Sequence, residues 1–408
     1  MQKGTGTSAL VAAERRLGAE VEAALKKRSP LEAKVAGSAR ALAPHSVAVR
    51  GQLVQAGKEL VKKDAFDREL YGVAMRALAE TQDKRLASVL LSALKADDHG
   101  GLGALTAACF SEDPALGPHI ARAAASPKTQ IAFAAEVART CRGEPTGARL
   151  AALAPRIKEA HRIALCVDLL LPLAIHSRRV SEKACAGMAE ALHVLRGSER
   201  HLGRWLVMAE IAHRGSDERP LKEAVDRTTT GPDSSRAAWA LVAWALDPSR
   251  GTGGTRPTSE LVARLSHRPS ADRDTSFLFR LAAARLDVAR PMLEALARTK
   301  PLGDEVALRA AFVLAKNYER AGFVRDVLEA ADAGAREELR GIAAAALWDL
   351  GERAKAVALA EALATATDLG AQTWAGLVHA AASAPTSRQP SELVTEQNFR
   401  RIQWGWIE

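Results

Sequence analysis

Aromatic side chains are scarce in this chain: they make up 4% of 408 residues, and only two are Tyr. The apolar content of 48% is therefore carried mainly by Ala, Leu and Val. Ala and Leu favour helices, and no run of alternating β-branched residues is present to build a sheet. Cysteine is also rare. Cys109, Cys141, Cys166 and Cys185 stand far apart, with no Cys-x-x-Cys pair. That spacing excludes a zinc-finger type of site. The thiols read as small buried hydrophobes in a reducing compartment. Long apolar runs are missing too. The densest, IALCVDLLLPLAI at 163–175, contains Asp168 and Pro172 and is too short to cross a bilayer. The opening MQKGTGTSALVAAERR has too short an apolar run for a signal peptide. The expectation is a cytoplasmic protein without membrane insertion.

Catalytic signatures are likewise thin. There is no Gly-x-Ser-x-Gly elbow, and nothing selects one Cys–His pair. Gly251, Gly253 and Gly254 are not followed by Gly-Lys-Ser/Thr and follow no strand, so they read as a linker rather than a phosphate loop. No cofactor is implied. Two Glu-x-x-His motifs are present, Glu190 to His193 and Glu210 to His213. On a helix each places a carboxylate and an imidazole on one face, as in ferritin-like di-iron proteins, which add a Glu from each of two further helices. Those further Glu residues are not identifiable here. A metal-binding enzyme is a remote alternative, and the expectation names no catalytic, cofactor or metal residue.

What the chain does have is repetition. LFRLAAARLDVARPMLEALA from Leu278, LRAAFVLAKNYERAGFVRDVLEAA from Leu308 and LRGIAAAALWDLGERAKAVALAEALA from Leu339 can be stacked. Each is an Ala-rich helix, a polar break and a second helix, with Arg280, Arg309 and Arg340 recurring at a period near 30. The rhythm extends back to segments starting at Ala74, Ala104 and Ala134. Their breaks carry an acid: Asp83, then Asp113–Pro114, then Glu144–Pro145. Pro suits the first turn of a following helix, where its missing N–H costs no bond. A period of this length marks an array of supersecondary units.

These helix–acidic turn–helix units resemble HEAT or HEAT-like repeats. The stretches from Leu308 and Leu339 carry the resemblance, with Asp304 and Arg309 as the acid and Arg common in that family. The resemblance covers about a third of the chain well and another third weakly. It implies an all-α fold, a right-handed α-solenoid of HEAT-like helical hairpins. It also implies a non-catalytic scaffold or adaptor for protein–protein interactions. The alternative is a nucleic-acid-binding HEAT-like protein with a basic concave surface. The organisation expected is basic N-terminal helices at 1–63 and HEAT-like repeats at 64–248, irregular at 157–213, where three longer helices are expected. A Gly-rich loop at 249–259, C-terminal repeats at 260–384, and a polar linker with a Trp-containing tail at 385–408 complete it.

The net charge is +9, and residues 1–63 hold twelve Lys or Arg against five Glu. Candidate basic surface residues are Lys26, Lys27, Arg28, Lys62, Lys63, Arg178, Arg179, Arg200 and Arg204. No aromatic lies among the N-terminal cations, so bases would find no stacking platform there. A protein partner is the leading expectation, with nucleic acid second. The tail residues Phe399, Arg400, Arg401, Trp404 and Trp406 either cap the last repeat or dock on a partner, since Trp and Arg are favoured interface anchors.

Overall fold

The computed structural model describes residues 8–27, 33–62, 83–95, 101–175, 180–200, 202–230 and 336–383, with single residues at 78 and 81 and between 236 and 315. Every regular element among them is helical. In chain order these are α1 Ala9–Lys27, α2 Ala33–Leu42, α3 Val47–Lys62, α4 Leu86–Lys95, α5 Gly101–Ala108, α6 Gly117–Ala124, α7 Thr129–Cys141 and α8 Gly147–Leu153. There follow α9 Glu159–Leu165, α10 Leu171–Ile175, α11 Glu182–Gly197, α12 Leu202–Arg214 and α13 Arg219–Thr230. The later ones are α14 Glu337–Asp349, α15 Arg353–Ala362 and α16 Leu369–Ser383. The described residues fall into two compact units, one within Glu20–Arg227 and one joining Met1–Ala19 to Thr228–Trp406. The divisions fall inside α1 and inside α13; the Gly-rich loop at 249–259 lies outside the described residues.

Within the first unit, helices pack on near neighbours in the chain from α4 to α8, and α7 and α8 also pack on the later α11. α4 meets α5 and α6, α5 meets α7, α7 meets α8 and α11, and α8 also meets α11. The cores are small side chains: Ala104, Ala107, Ala108, Ala134, Ala135 and Ala138 are all fully or nearly fully buried. In the second unit α14 packs on both α15 and α16. There α14 and α15 reproduce the helix–break–helix text from Leu339, with the break at Leu350–Glu352.

The breaks have a common geometry. Gly143, Ser216 and Gly351 have φ of 89°, 63° and 90°. The residue after each donates its N–H five residues back: Glu144 to Arg139 O, Asp217 to Ala212 O and Glu352 to Leu347 O. This is the Schellman ending, in which a left-handed residue lets the chain satisfy the last carbonyls of the helix. The acid seen in the sequence breaks is the residue that follows the turn. At Asp113 it also starts the next helix, accepting from the N–H of Ala115 at 2.9 Å with Pro114 in the first position. Ser216 performs with a Cβ what Gly performs without one. Left-handed backbone costs an L-residue about 1–2 kcal/mol, against roughly 0.5–1 kcal/mol of added chain entropy for Gly. Ser216→Gly is therefore expected to stabilise the protein by about 0.5–1 kcal/mol, read as a higher urea midpoint; a lower midpoint would contradict this strain.

The irregular stretch at 157–213 forms three helical runs. The first is α9, five residues of π-helix at Cys166–Leu170, and α10. Pro172 has no N–H to give the carbonyl of Asp168 four residues back. The buried hydroxyl of Thr106 in α5 lies 2.8 Å from that carbonyl and 2.8 Å from Leu102 O of its own helix, so its one proton is placed between the two acceptors. This contact brings the Pro-containing run against α5.

Candidate functional site

The arginines of the first unit are mostly spent inside it. Arg50 donates to Ala43 O at 2.7 Å, Arg122 to Leu94 O at 3.0 Å, Arg142 to Asp113 O at 2.9 Å and Arg214 to Ala174 O at 3.2 Å. Ala43, Leu94 and Ala174 lie at or just beyond the C-terminal end of an earlier helix, where carbonyls lack intrahelical partners and positive charge is favoured, whereas Asp113 lies in the loop after α5. Arg122 and Arg142 reach back 28 and 29 residues. Side-chain pairs span a similar interval: Arg219 with Glu190 across 29 residues and Arg196 with Glu223 across 27. In the second unit Glu337 accepts from the N–H groups of Thr367 and Asp368, both at 2.8 Å, across 30 and 31 residues. Those two N–H groups start α16. Several of these ties span 27 to 31 residues, while that of Arg214 spans 40.

Two of the breaks share an Asp-x-Arg module. Asp83 accepts from the backbone N–H of Arg85 at 3.0 Å and from its Nε at 2.9 Å. Asp217 accepts from Arg219 at the same two distances. The Arg85 side chain holds the Asp83 carboxyl below its ordinary value. Burial pushes Asp217 up, but the side-chain and backbone hydrogen bonds of Arg219 with its charge outweigh this, and the net direction is down.

The residues singled out in the sequence separate into several groups. Arg204, expected on a basic surface, is 5% exposed and pairs with Glu199 at 2.9 Å. It lies on the buried stripe of α12 with Met208 and Ala212, so it faces the core and adds nothing to a surface. Arg196 is fully buried on α11, bonded to Glu223 and His193, with its guanidinium 5.3 Å from the Trp205 ring centre. Lys26 is exposed but neutralised by Glu22 at 2.6 Å. The side chains of Lys27 and Lys62, together with Arg28, Lys63, Arg178, Arg179 and the tail residues Phe399, Arg400, Arg401, Trp404 and Trp406, lie outside the described residues. Arg200 is exposed.

The two Glu-x-x-His motifs do not assemble a shared metal site. Glu190 is held by Arg219 and His193 faces Arg196. Among the described residues no three His, Cys, Asp or Glu side chains come together to hold a metal. Among the described residues, too, no helix is long and apolar enough to cross a membrane.

The cysteines are closer than their spacing suggested. Cys109, one residue past α5, donates its thiol proton to Leu105 O at 3.3 Å and lies close to Cys141, the last residue of α7. Burial, then Cys141, pushes the Cys109 thiol well up. Burial raises Cys166 to about 12 and raises Cys185. Thiolate is the reactive form, so an aromatic disulfide reagent at about pH 8 is expected to modify half-buried Cys141 first. The other three should react only on unfolding; equal rates at all four thiols would contradict this burial.

Sequence reading missed a second group of cations. Arg156 ends the turn after α8, Lys158 precedes α9, and Arg162 lies within α9. The Arg162 guanidinium bonds to Ile157 O and to the Ser198 hydroxyl, which lies two residues before Arg200. The turn at Ala154–Arg156 packs on α11. The α8–α9 turn and the α11–α12 loop therefore form one continuous surface. Arg156, Lys158 and Arg200 are exposed and meet no carboxylate among the described residues. No protein-family model, curated protein or solved structure matches the chain.

Proposed function

We propose that this protein is a non-catalytic scaffold, a right-handed α-solenoid of HEAT-like helical hairpins that holds a protein partner in the cytoplasm. One observation carries the reading: side-chain bonds between helices recur across 27 to 31 residues, one repeat apart. In a repeat array each unit buries its apolar face only against its neighbours. Polar ties at the same separation make the adjacent unit the specific partner. The alternating packing of α4 to α8 supports the same reading.

The test is capture by the immobilised full chain from nuclease-treated extract, with the retained proteins identified by mass spectrometry. A reproducible protein set that survives nuclease is expected. Retention of labelled oligonucleotide that falls linearly with log salt, with no protein retained, would replace this reading by nucleic-acid binding. Repeating the capture without residues 396–408 separates a docking tail, which would lose partners, from a capping tail, which would not.

A further inference from the structure

Nearly every other arginine described in the first unit is consumed by a carbonyl or a carboxylate of the same unit, as shown above. The surface of the α8–α9 turn and the α11–α12 loop departs from that pattern. Arg156, Lys158 and Arg200 are exposed without a carboxylate, and Arg162 meets only a carbonyl and a hydroxyl. Glu199 is turned inward to Arg204, which leaves Glu159 as the acid within these two segments. Four cations against one acid form a local excess that nothing in the described chain neutralises.

The same surface exposes apolar side chains. Ala160, Ile163 and Ala164 are all exposed, Ile163 at 52%. Positions i, i+3 and i+4 share one helical face, so α9 presents an apolar stripe to solvent, while Leu165 is buried. Glu159 borders the stripe four residues before Ile163, and Lys158 and Arg156 precede it in the chain; three cations without a carboxylate partner against this one acid, on a surface with an aliphatic face, fit a ligand that is acidic and apolar together.

We infer that this surface is the docking site for an acidic peptide segment bearing an aliphatic anchor, carboxylates on Arg156, Lys158 and Arg200 and the anchor against Ile163. The assignment rests on the scaffold reading and names its partner chemistry. Charge complementarity selects an anion, and the aliphatic stripe selects among anions. A nucleic-acid strand would call for aromatic stacking partners beside its phosphate contacts, and Ile and Ala offer none.

The experiment uses the full chain and a short fluorescein-labelled peptide of Glu and Leu, read by anisotropy. Binding is expected. The triple variant Arg156→Glu, Lys158→Glu, Arg200→Glu should weaken it by about tenfold or more, since exposed charge pairs contribute about 0.2–1 kcal/mol each and reversal adds repulsion. Ile163→Ser should weaken it about threefold or more. These side chains are exposed, so folding is retained, checked by circular dichroism. A control reversal at Lys183 and Lys222, exposed on α11 and α13, should leave binding unchanged. The inference is overturned if the control weakens binding as much as the triple variant. It is also overturned if the peptide does not bind, or if a single-stranded oligonucleotide binds more tightly at the same residues. The two readings fail separately. A protein captured equally by wild type and triple variant ends this site and leaves the scaffold, while capture of no protein ends the scaffold.

Discussion

Replacing Glu199 with Ala is expected to destabilise the protein by about 3–5 kcal/mol. Glu199 and Arg204 are a buried pair, with side chains 4% and 6% exposed and a separation of 2.9 Å. The Nε of Arg204 is buried without any hydrogen bond. Removing the carboxylate leaves the guanidinium with neither water nor counter-charge, and an arginine cannot shed its proton to escape. The cost is that of stranding a charge, not the net value of the pair. The double variant Glu199→Leu, Arg204→Met removes both charges and is expected to recover to within about 1 kcal/mol of wild type or to exceed it. Urea unfolding followed by circular dichroism measures both. As a reference, Glu190→Ala removes an exposed pair with Arg219, side chains 59% and 44% exposed, and should cost under about 1 kcal/mol. If Glu199→Ala is as mild as that reference, the burial described for the pair is wrong.

Alanine at two glycines is expected to act in opposite directions. A Cβ on Gly215 would lie 2.3 Å from the backbone N of Ala186 and 2.5 Å from the carbonyl carbon of Cys185. Those are main-chain atoms of α11, held by its hydrogen bonds, and cannot rotate away as a side-chain tip would. Overpacking of this type costs about 1–3 kcal/mol or more. A Cβ on Gly197, in the last turn of α11, meets nothing within 4 Å. There Ala restricts the unfolded chain without strain and should stabilise by about 0.4–1 kcal/mol. The pair of urea midpoints checks the approach of the α12–α13 connection to α11. A neutral Gly215→Ala would show that the two segments are further apart.

Much of the local structure was legible because its causes are local. The breaks at Asp83, Asp113 and Glu144 could be placed because an acid, a glycine or a proline acts within a few residues of itself. In α1 the helical spacing of Leu10, Ala13, Leu17, Val21 and Leu25 by itself predicts one apolar stripe. The structure buries Ala9, Ala13, Leu17 and Val21, while Leu10 and Leu25 are half-buried. The face is right; its buried part begins at Ala9 rather than Leu10 and ends at Val21.

Arg204 departs from its expected place on a basic surface for a different reason. Composition counts Arg204 and Arg200 alike, but one faces Glu199 in the core and the other faces solvent. A signal was present. Cys185, Ala189, Leu192 and Arg196 fall on one buried stripe of α11, and Arg204, Met208 and Ala212 on one of α12. A charge at a core-facing position of an apolar stripe marks a buried ion pair. The stripe does not say which carboxylate answers it: Glu199 is near in sequence, but Glu223 lies 27 residues away.

By itself, then, the sequence determined the helical class, the period near 30 and the sites where helices end. These follow from propensity, apolar spacing and turn chemistry over a few residues. Only the tertiary structure decided where the cations go. It turned Arg122 and Arg214 onto the ends of earlier helices and Arg142 onto the loop after α5, buried Arg196 and Arg204, set Cys109 beside Cys141, and left Arg156, Lys158 and Arg200 exposed on the segments that flank Ile163. Those outcomes depend on which helix ends meet across some thirty residues or more, and a free carbonyl or a buried carboxylate on another helix is not written next to the arginine that finds it.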